Sequence, residues 1–194
     1  MPEVWLIRHG ETAWTLSGKH TGRTDIPLTP RGIMQAQRLG RRLADKHFAL
    51  VLTSPLSRAR ETCRLTGLLD RADIDENLRE WDYGAAEGRT TAEIQKDMPG
   101  WSIWTGNFPG GETLEQVGAR ADRVLARVSD VDGAVALFAH GHVLRILAAR
   151  WLRLPPLYGR YLALDTASLS MLGHEHAFPV VRSWNERYDL LEVP

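Results

Sequence analysis

Two periods of apolar and polar residues alternate along this chain, one typical of buried strands and the other of amphipathic helices. Short, continuous apolar runs predict strands at residues 3–7, 48–53 and 133–138. Apolar residues at helical spacing predict helices over about residues 30–46, 56–69, 114–128 and 141–150. A closing pair of strands is predicted at residues 168–172 and 180–183, joined through residues 173–179. We therefore expect one α/β domain over residues 1–194, a three-layer α/β/α sandwich around a mainly parallel central sheet.

The stretch between residues 80 and 111 follows neither period for long. It is rich in Gly, Trp and Pro, and its one helical candidate lies near residues 91–98, so we expect loops over one face of the domain. Trp101 and Trp104 are three positions apart. Two interpretations stay open for them: one side of a short helix packed on the core, or the mouth of a crevice.

Composition and charge exclude several classes of partner. The 24 Lys and Arg residues balance 24 Asp and Glu residues and form no basic stripe, which argues against nucleic acid and anionic membranes. No apolar run is long enough to span a bilayer and no secretory signal precedes the first strand, so we expect a cytoplasmic protein. Cys63, the single cysteine, allows no intrachain disulfide, and its helical neighbours indicate a small buried residue. Assembly into a homo-oligomer stays open.

Basic and acidic side chains follow the predicted strands. Arg8 and His9 come directly after the first strand, Arg58 lies shortly after the second, and His140 follows the third. Glu80 lies in the loop-rich stretch. Because the carboxyl ends of parallel strands meet at one edge of a sheet, one crevice can gather these five residues.

Such a set of residues suits phosphoryl transfer. Arginine forms paired hydrogen bonds with phosphate oxygens, which is the task we assign to Arg8 and Arg58. Imidazole is unprotonated near neutral pH and can attack phosphorus without a separate base, so His9 is the candidate nucleophile. An alkoxide leaves poorly unless it is protonated, and Glu80 is the candidate acid.

Several motifs then occur in the order of one known family. They are RHGET at residues 8–12, TG at 21–22 with LTPRG at 28–32, TSPLSRA at 53–59, LREWDYG at 78–84 and AHGH at 139–142. With them the chain resembles the histidine phosphatase superfamily, in its phosphoglycerate mutase-like branch, over nearly its whole length. The resemblance implies a phosphoglycerate mutase-like fold.

The resemblance also implies roles for the five residues. His9 would become phosphohistidine, while Arg8, Arg58 and His140 would hold the phosphate and stabilise charge in the transition state. Glu80 would protonate the leaving group and then take a proton from the water that hydrolyses phosphohistidine.

Further substrate contacts are expected around these residues. The candidates are Gly10, Thr12, Thr15, Thr21, Gly22, Tyr83, Gly141, His142 and Arg145. For the three threonines and Gly22, a capping or turn role is the alternative. Two interpretations stay open for Arg145: it binds a second phosphate or a sugar hydroxyl group, or it lies on a solvated helix face.

No metal and no cofactor are expected, because the family chemistry uses none and the familiar two-histidine zinc spacings on a helix are missing. His174, Glu175 and His176 are close enough in sequence to suggest a metal site. We interpret them instead as part of a solvated hairpin connection.

Three functions compete: a phosphatase, a cofactor-dependent phosphoglycerate mutase and a phosphate-binding module without activity. The module is disfavoured because every position that the chemistry needs holds a competent residue. The mutases of this family carry a longer insertion with paired arginines between the acid and the second histidine, whereas residues 101–111 contain no Arg or Lys here. Hydrolysis of a small phosphate ester is therefore favoured. Residues 80–84, 101–104 and 110–112 are similar to a subgroup with sedoheptulose-bisphosphatase-like and acid-phosphatase-like members, which suggests a sugar phosphate or bisphosphate.

Overall fold

One six-stranded sheet forms the centre of the protein in a computed structural model that describes residues 1–106 and 109–188. Its strands are β1 Glu3–Arg8, β2 Leu50–Thr53, β3 Ala72–Ile74, β4 Ala134–Ala139, β5 Leu169–Glu175 and β6 Phe178–Glu186. They lie in the order β3-β2-β4-β1-β5-β6. The first four are parallel, while β5 and β6 are antiparallel to their neighbours, so the sheet is mainly parallel as predicted.

Helices cover both faces of this sheet. They are α1 Ala13–Ser17, α2 Pro30–Leu43, α3 Ser57–Leu65, α4 Thr91–Asp97, α5 Leu114–Ser129 and α6 Gly141–Trp151. Alternate residues of β1 point to opposite faces: Leu6 packs in the core beneath α5 and α6, and Ile7 in the core beneath α2 and α3. The predicted α/β/α sandwich is thereby confirmed.

Several predicted boundaries were wrong for identifiable reasons. Helix α3 ends at Leu65 rather than near residue 69, because Gly67 adopts a positive φ of 79° and closes the helix. The amides of Gly67 and Leu68 then donate to the carbonyls of Arg64 and Cys63, which is a Schellman motif. Helix α2 ends at Leu43, where the chain turns through a bond from the Lys46 amide to the Leu43 carbonyl.

The closing hairpin is longer than predicted. His174 and Glu175 belong to β5, and β6 begins at Phe178, so the predicted connection over residues 173–179 shrinks to two residues. The His174 ring packs on Trp151 with 4.9 Å between ring centroids, so it is not part of a solvated turn. The interpretation of these histidines as a solvated connection holds only for His176, which occupies the turn with a φ of 53°.

Two expectations concern the chain as a whole. Residues 107–108 and 189–194 lie outside the described residues, so the single domain over 1–194 stays a prediction. In the described part of the chain, no helix is both long enough and apolar enough to cross a membrane.

Candidate active site

The carboxyl ends of three parallel strands bring the predicted residues to one edge of the sheet. His9 follows β1, Ser54 follows β2 and His140 follows β4. The His9 amide donates to the Ala139 carbonyl at 3.0 Å, and the Ser54 amide donates to Phe138 at 2.9 Å, so the ladder extends past the strand ends. As a result, the rings of His9 and His140 lie 5.1 Å apart between centroids.

His9 is held in the form that a nucleophile needs. Its Nδ1 lies 2.7 Å from the carbonyl oxygen of Gly10, which can only accept, so Nδ1 carries the proton and Nε2 keeps its lone pair. Burial lowers the pKa of His9 well below 6.5, and the positive charges of Arg58 and Arg8 lower it further. The imidazole is therefore neutral at physiological pH.

His140 is also neutral, with the opposite tautomer. The Nε of Arg58 donates to its Nδ1 at 3.1 Å, so its Nε2 carries the proton and donates to Ser54 Oγ at 2.7 Å. Burial and then the charge of Arg58 lower the pKa of His140 well below 6.5. His140 therefore carries a proton donor on a ring that lies next to the ring of His9.

The two arginines of the site are bound differently. Arg58 is fully buried and donates to the carbonyls of Thr21, Gly22 and Thr24 as well as to His140. Arg8 donates through Nη1 to the Leu164 carbonyl, but its buried Nε has no hydrogen-bond partner among the described residues. An unsatisfied buried donor on a cation favours an incoming anion, so Arg8 is free to bind one.

Glu80 lies at the N-terminus of α6. Its Oε1 accepts hydrogen bonds from the amides of Trp81 and Val143, and its Oε2 accepts from the amide of His142, all within 3.0 Å. Amides at a helix N-terminus have no partner within the helix, so the carboxyl group satisfies two of them. These bonds fix the carboxyl group at the wall of the cleft.

A cleft of about 380 Å³ opens over these residues, which is within the range of small-molecule sites. Its inner wall is formed by Arg8, His9, Glu80, Gly141 and His142, and its mouth by Thr15, Gly18, Lys19, His20, Thr21, Tyr83, Thr91, Ile103, Trp104, Arg145 and Leu164. Arg58 and His140 lie behind the inner wall. Gly141 lets Arg8 pack closely, because a Cβ there would come within 3.3 Å of the guanidinium carbon.

Arg145 and His142 contribute the aromatic and cationic side of the mouth. Arg145 stacks over the ring of Trp104 at 4.6 Å and donates to the Gly159 carbonyl, so it lines the cleft rather than a solvated helix face. His142 Nδ1 lies 2.6 Å from the hydroxyl of Tyr83. Burial raises the pKa of Tyr83 well above 10 and lowers the pKa of His142 well below 6.5, so both are neutral.

Three of the predicted substrate contacts lie away from the cleft wall. Thr12 is buried and caps α1 in a reciprocal pair with Thr15, which is the capping alternative. Gly10 packs against Gly32, whose carbonyl oxygen would lie 2.5 Å from an added Cβ. Gly22 lies in the loop clamped by Arg58 and donates its amide to Glu87.

The sequence interpretation missed several residues of this site. Ser54 was detectable, because it follows β2 at the same edge as His9. Lys19, His20 and Thr91 carried no such signal, since only tertiary structure brings their loops to the mouth. Trp104 lies in a turn rather than a helix, so the crevice-mouth interpretation applies to it, whereas Trp101 is buried. Within the described residues, no group of three or more His, Cys, Asp or Glu side chains is placed to hold a metal.

Comparison with known proteins fits this geometry. The family model of the histidine phosphatase superfamily, branch 1, matches residues 4–187. The chain belongs to this superfamily. An acid phosphatase from Mycobacterium tuberculosis is 40% identical over 175 residues, covering 88% of this chain and 86% of the relative. A sedoheptulose 1,7-bisphosphatase from Saccharomyces cerevisiae is 37% identical over 183 residues, covering 77% of this chain and 67% of the relative.

A solved structure agrees with the sequence relatives of this histidine phosphatase. An open reading frame product from Mycobacterium tuberculosis has a TM-score of 0.91 and 36% identity to it. The match covers 95% of this chain and 97% of that one. Fold and family are therefore shown by sequence and structure alike.

Proposed function

We propose that this histidine phosphatase hydrolyses small sugar phosphates or bisphosphates through a phosphohistidine on His9. One observation carries the proposal: the Nε2 lone pair of His9 and the unpartnered Nε of Arg8 belong to neighbouring residues on one cleft. In a phosphate monoester, the phosphorus is an electrophile for Nε2 of His9, and a phosphate oxygen can accept a hydrogen bond from Nε of Arg8. The positive charge of Arg8, Arg58 and Arg145 against the single carboxyl group of Glu80 suits a dianion.

The reaction follows from the placement of these groups. Nε2 of His9 attacks phosphorus, the bond from phosphorus to the ester oxygen breaks, and protonated Glu80 gives its proton to the departing alkoxide. After the alcohol leaves, the Glu80 carboxylate takes a proton from water as the water oxygen attacks phosphorus. The bond from phosphorus to His9 then breaks and inorganic phosphate is released. His140 stabilises the transferring group by donating its Nε2 proton, in exchange for its bond to Ser54.

The mouth of the cleft supports a sugar as the alcohol. Hydroxyl, imidazole and indole groups of Thr91, His20 and Trp104 surround the space beyond the phosphate. Arg145 adds a cation at which a second phosphate or a hydroxyl group can bind. The name of the yeast relative, a sedoheptulose 1,7-bisphosphatase, agrees with this substrate class. Cytoplasmic location and homo-oligomer formation stay predictions.

A direct assay separates hydrolysis from mutase activity. The purified protein is given sugar phosphates and bisphosphates in one series, and 3-phosphoglycerate with a bisphosphoglycerate primer in another. We expect steady release of inorganic phosphate from the sugars and little 2-phosphoglycerate, because the described part of residues 101–111 offers no Arg or Lys to grip the released acid. Faster formation of 2-phosphoglycerate than of phosphate would overturn the proposal in favour of a mutase.

A further inference from the structure

The backbone around Glu80 is held by two residues that lie outside the cleft. Arg120, on α5, donates through Nη1 to the carbonyls of Asn77 at 2.7 Å and Arg79 at 2.9 Å. Its Nη2 also reaches the carbonyl of Glu80 itself at 3.4 Å. One guanidinium group therefore contacts three carbonyls of the segment that ends at the proposed acid.

Glu112 holds the other side of the same segment. Its carboxylate forms a two-pronged ion pair with Arg120, at 2.7 and 2.8 Å, and its Oε2 also accepts from the amide of Asp82 at 3.0 Å. Its backbone carbonyl accepts from Nε1 of Trp81 at 2.9 Å, and its amide donates to the carbonyl of Asp82. The residues before and after Glu80 are thus tied to a single ion pair.

This ion pair is shielded enough to be rigid. The side chains of Arg120 and Glu112 are 11% and 24% exposed. Burial alone would raise the pKa of Glu112, but the hydrogen bond and charge of Arg120 lower it below its ordinary value, so the carboxylate stays ionised. Paired hydrogen bonds between arginine and carboxylate are directional as well as strong.

We propose that Arg120 and Glu112 are positioning residues that set the place of the Glu80 carboxyl group relative to the leaving oxygen. The inference rests on the proposed role of Glu80 as the acid. The amides of α6 orient the carboxyl group from one side, and the Arg120–Glu112 pair fixes the backbone from the other. When the pair is removed, the backbone of Glu80 can shift while its side chain still bonds to α6, which displaces the proton from the alkoxide.

Leaving-group dependence tests this inference. The variants Arg120→Met and Glu112→Gln are compared with the native protein on an alkyl phosphate and on p-nitrophenyl phosphate. We expect kcat/KM to fall about tenfold or more for the alkyl ester and to stay within about threefold for the aryl ester, because a misplaced acid harms only leaving groups that need its proton. Arg120→Lys keeps the positive charge but not the paired donors of the guanidinium group, so its kcat/KM for the alkyl ester should lie between those of Arg120→Met and the native protein.

Two controls make the outcome decisive. The ion pair between Arg150 and Asp122 joins α6 to α5 in the same two-pronged geometry but does not contact the segment around Glu80. Arg150→Met and Asp122→Asn should therefore lower kcat/KM equally for both substrates, or leave it unchanged. Thermal unfolding of all variants separates a general loss of stability from the alkyl-specific effect. An equal loss on both substrates in the Arg120 variants, or the same split in the controls, would refute the inference.

The variant Glu80→Gln distinguishes failure of the inference from failure of the proposed function. If Glu80→Gln shows the alkyl-specific loss and Arg120→Met does not, the positioning role is wrong while the acid remains Glu80. If Glu80→Gln itself shows no such loss, the proposed acid is wrong, and the positioning role is refuted with it.

Discussion

The inner wall of the cleft and its mouth are built in different ways. The inner wall comes from the ends of β1 and β4, the start of α6 and the segment at Glu80 that is bonded to α6, and both His9 and Glu80 are buried and bonded to backbone groups. The mouth comes from loops and short helices, and of its residues Lys19 and Trp104 are half-buried and Thr91 is exposed. The sheet thus fixes the groups that suit phosphate, whereas the loops present the groups that meet the rest of the substrate.

The sharpest contrast in the site is between Arg8, which lines the inner wall, and Arg58, which lies behind it, and the largest effect is expected there. In Arg8→Met, we expect kcat/KM to fall by about 100- to 1,000-fold, because a donor aimed at the transferring phosphate is lost. The free energy of unfolding should change by less than about 1 kcal/mol, since removal of the unsatisfied buried Nε offsets loss of the bond to the Leu164 carbonyl. Enzyme kinetics and urea unfolding measure the two quantities.

Arg58→Met is the matched control for Arg8→Met. Arg58 donates to three loop carbonyls and His140, so its loss should lower the free energy of unfolding by about 3 kcal/mol along with activity. If Arg8→Met proved as destabilising as Arg58→Met, the contrast between an arginine with an unpartnered donor and one bonded throughout to the loop and His140 would be wrong.

A change at the mouth should alter selectivity and leave the chemistry intact. In Arg145→Met, we expect kcat/KM for a sugar bisphosphate to fall about tenfold, the equivalent of one charge-assisted hydrogen bond. Hydrolysis of p-nitrophenyl phosphate should change by less than about threefold. Arg150→Met, on the same helix, controls for loss of a positive charge. An equal fall in kcat/KM for both substrates would show that Arg145 acts on the chemistry, as the residues of the inner wall do, and not on selectivity.

The smallest expected effect is the change that one histidine variant makes to the dependence of stability on pH. Burial lowers the pKa of His9, His140 and His142 below 6.5, the value expected in the unfolded chain. Below pH 6.5 the unfolded chain therefore binds more protons than the folded protein, so the free energy of unfolding falls as the pH falls. The slope approaches about 1.4 kcal/mol per pH unit for each such histidine.

Urea unfolding at pH values from 7.5 to 5.5 measures this slope. In His140→Gln, the slope of the free energy of unfolding against pH should be smaller than in the native protein by the contribution of one buried histidine. His47→Asn, which removes an exposed histidine, is the control. An unchanged slope in His140→Gln would show that His140 is not held neutral by the fold.

Much of the inner wall could be predicted from the sequence, because strand ends mark it directly. The apolar run of β1 ends at Arg8 and that of β4 ends at His140, and parallel strands bring their ends together. The three-residue strand β3 was missed because it is too short to show a period, and its Asp73 and Ile74 are exposed. A short strand of this kind depends on its pairing with β2 and not on its own pattern.

The residues that hold the proposed catalytic groups in place could not be predicted from sequence patterns. Residues 110–112, which end at Glu112, contributed only to the family resemblance. The ion pair between Glu112 and Arg120, and the bonds from Arg120 to the backbone before Glu80, join segments that no periodicity connects. Arg58 was assigned to phosphate from the chemistry of its side chain and from the family resemblance, but its hydrogen bonds to the loop at Thr21 to Thr24 were not predicted. The hydrogen-bond partners of these arginines depend on which carbonyl groups the folded chain brings close to them.

Trapping the covalent intermediate is the most direct test of the proposed mechanism. The protein is mixed briefly with a radiolabelled sugar phosphate, quenched without acid and digested for mass spectrometry. We expect the label on His9, as an acid-labile and base-stable phosphoramidate, and we expect both label and turnover to disappear in His9→Ala. Label on Ser54 or any other hydroxyl group, or full activity in His9→Ala, would contradict the central claim that His9 carries the phosphate.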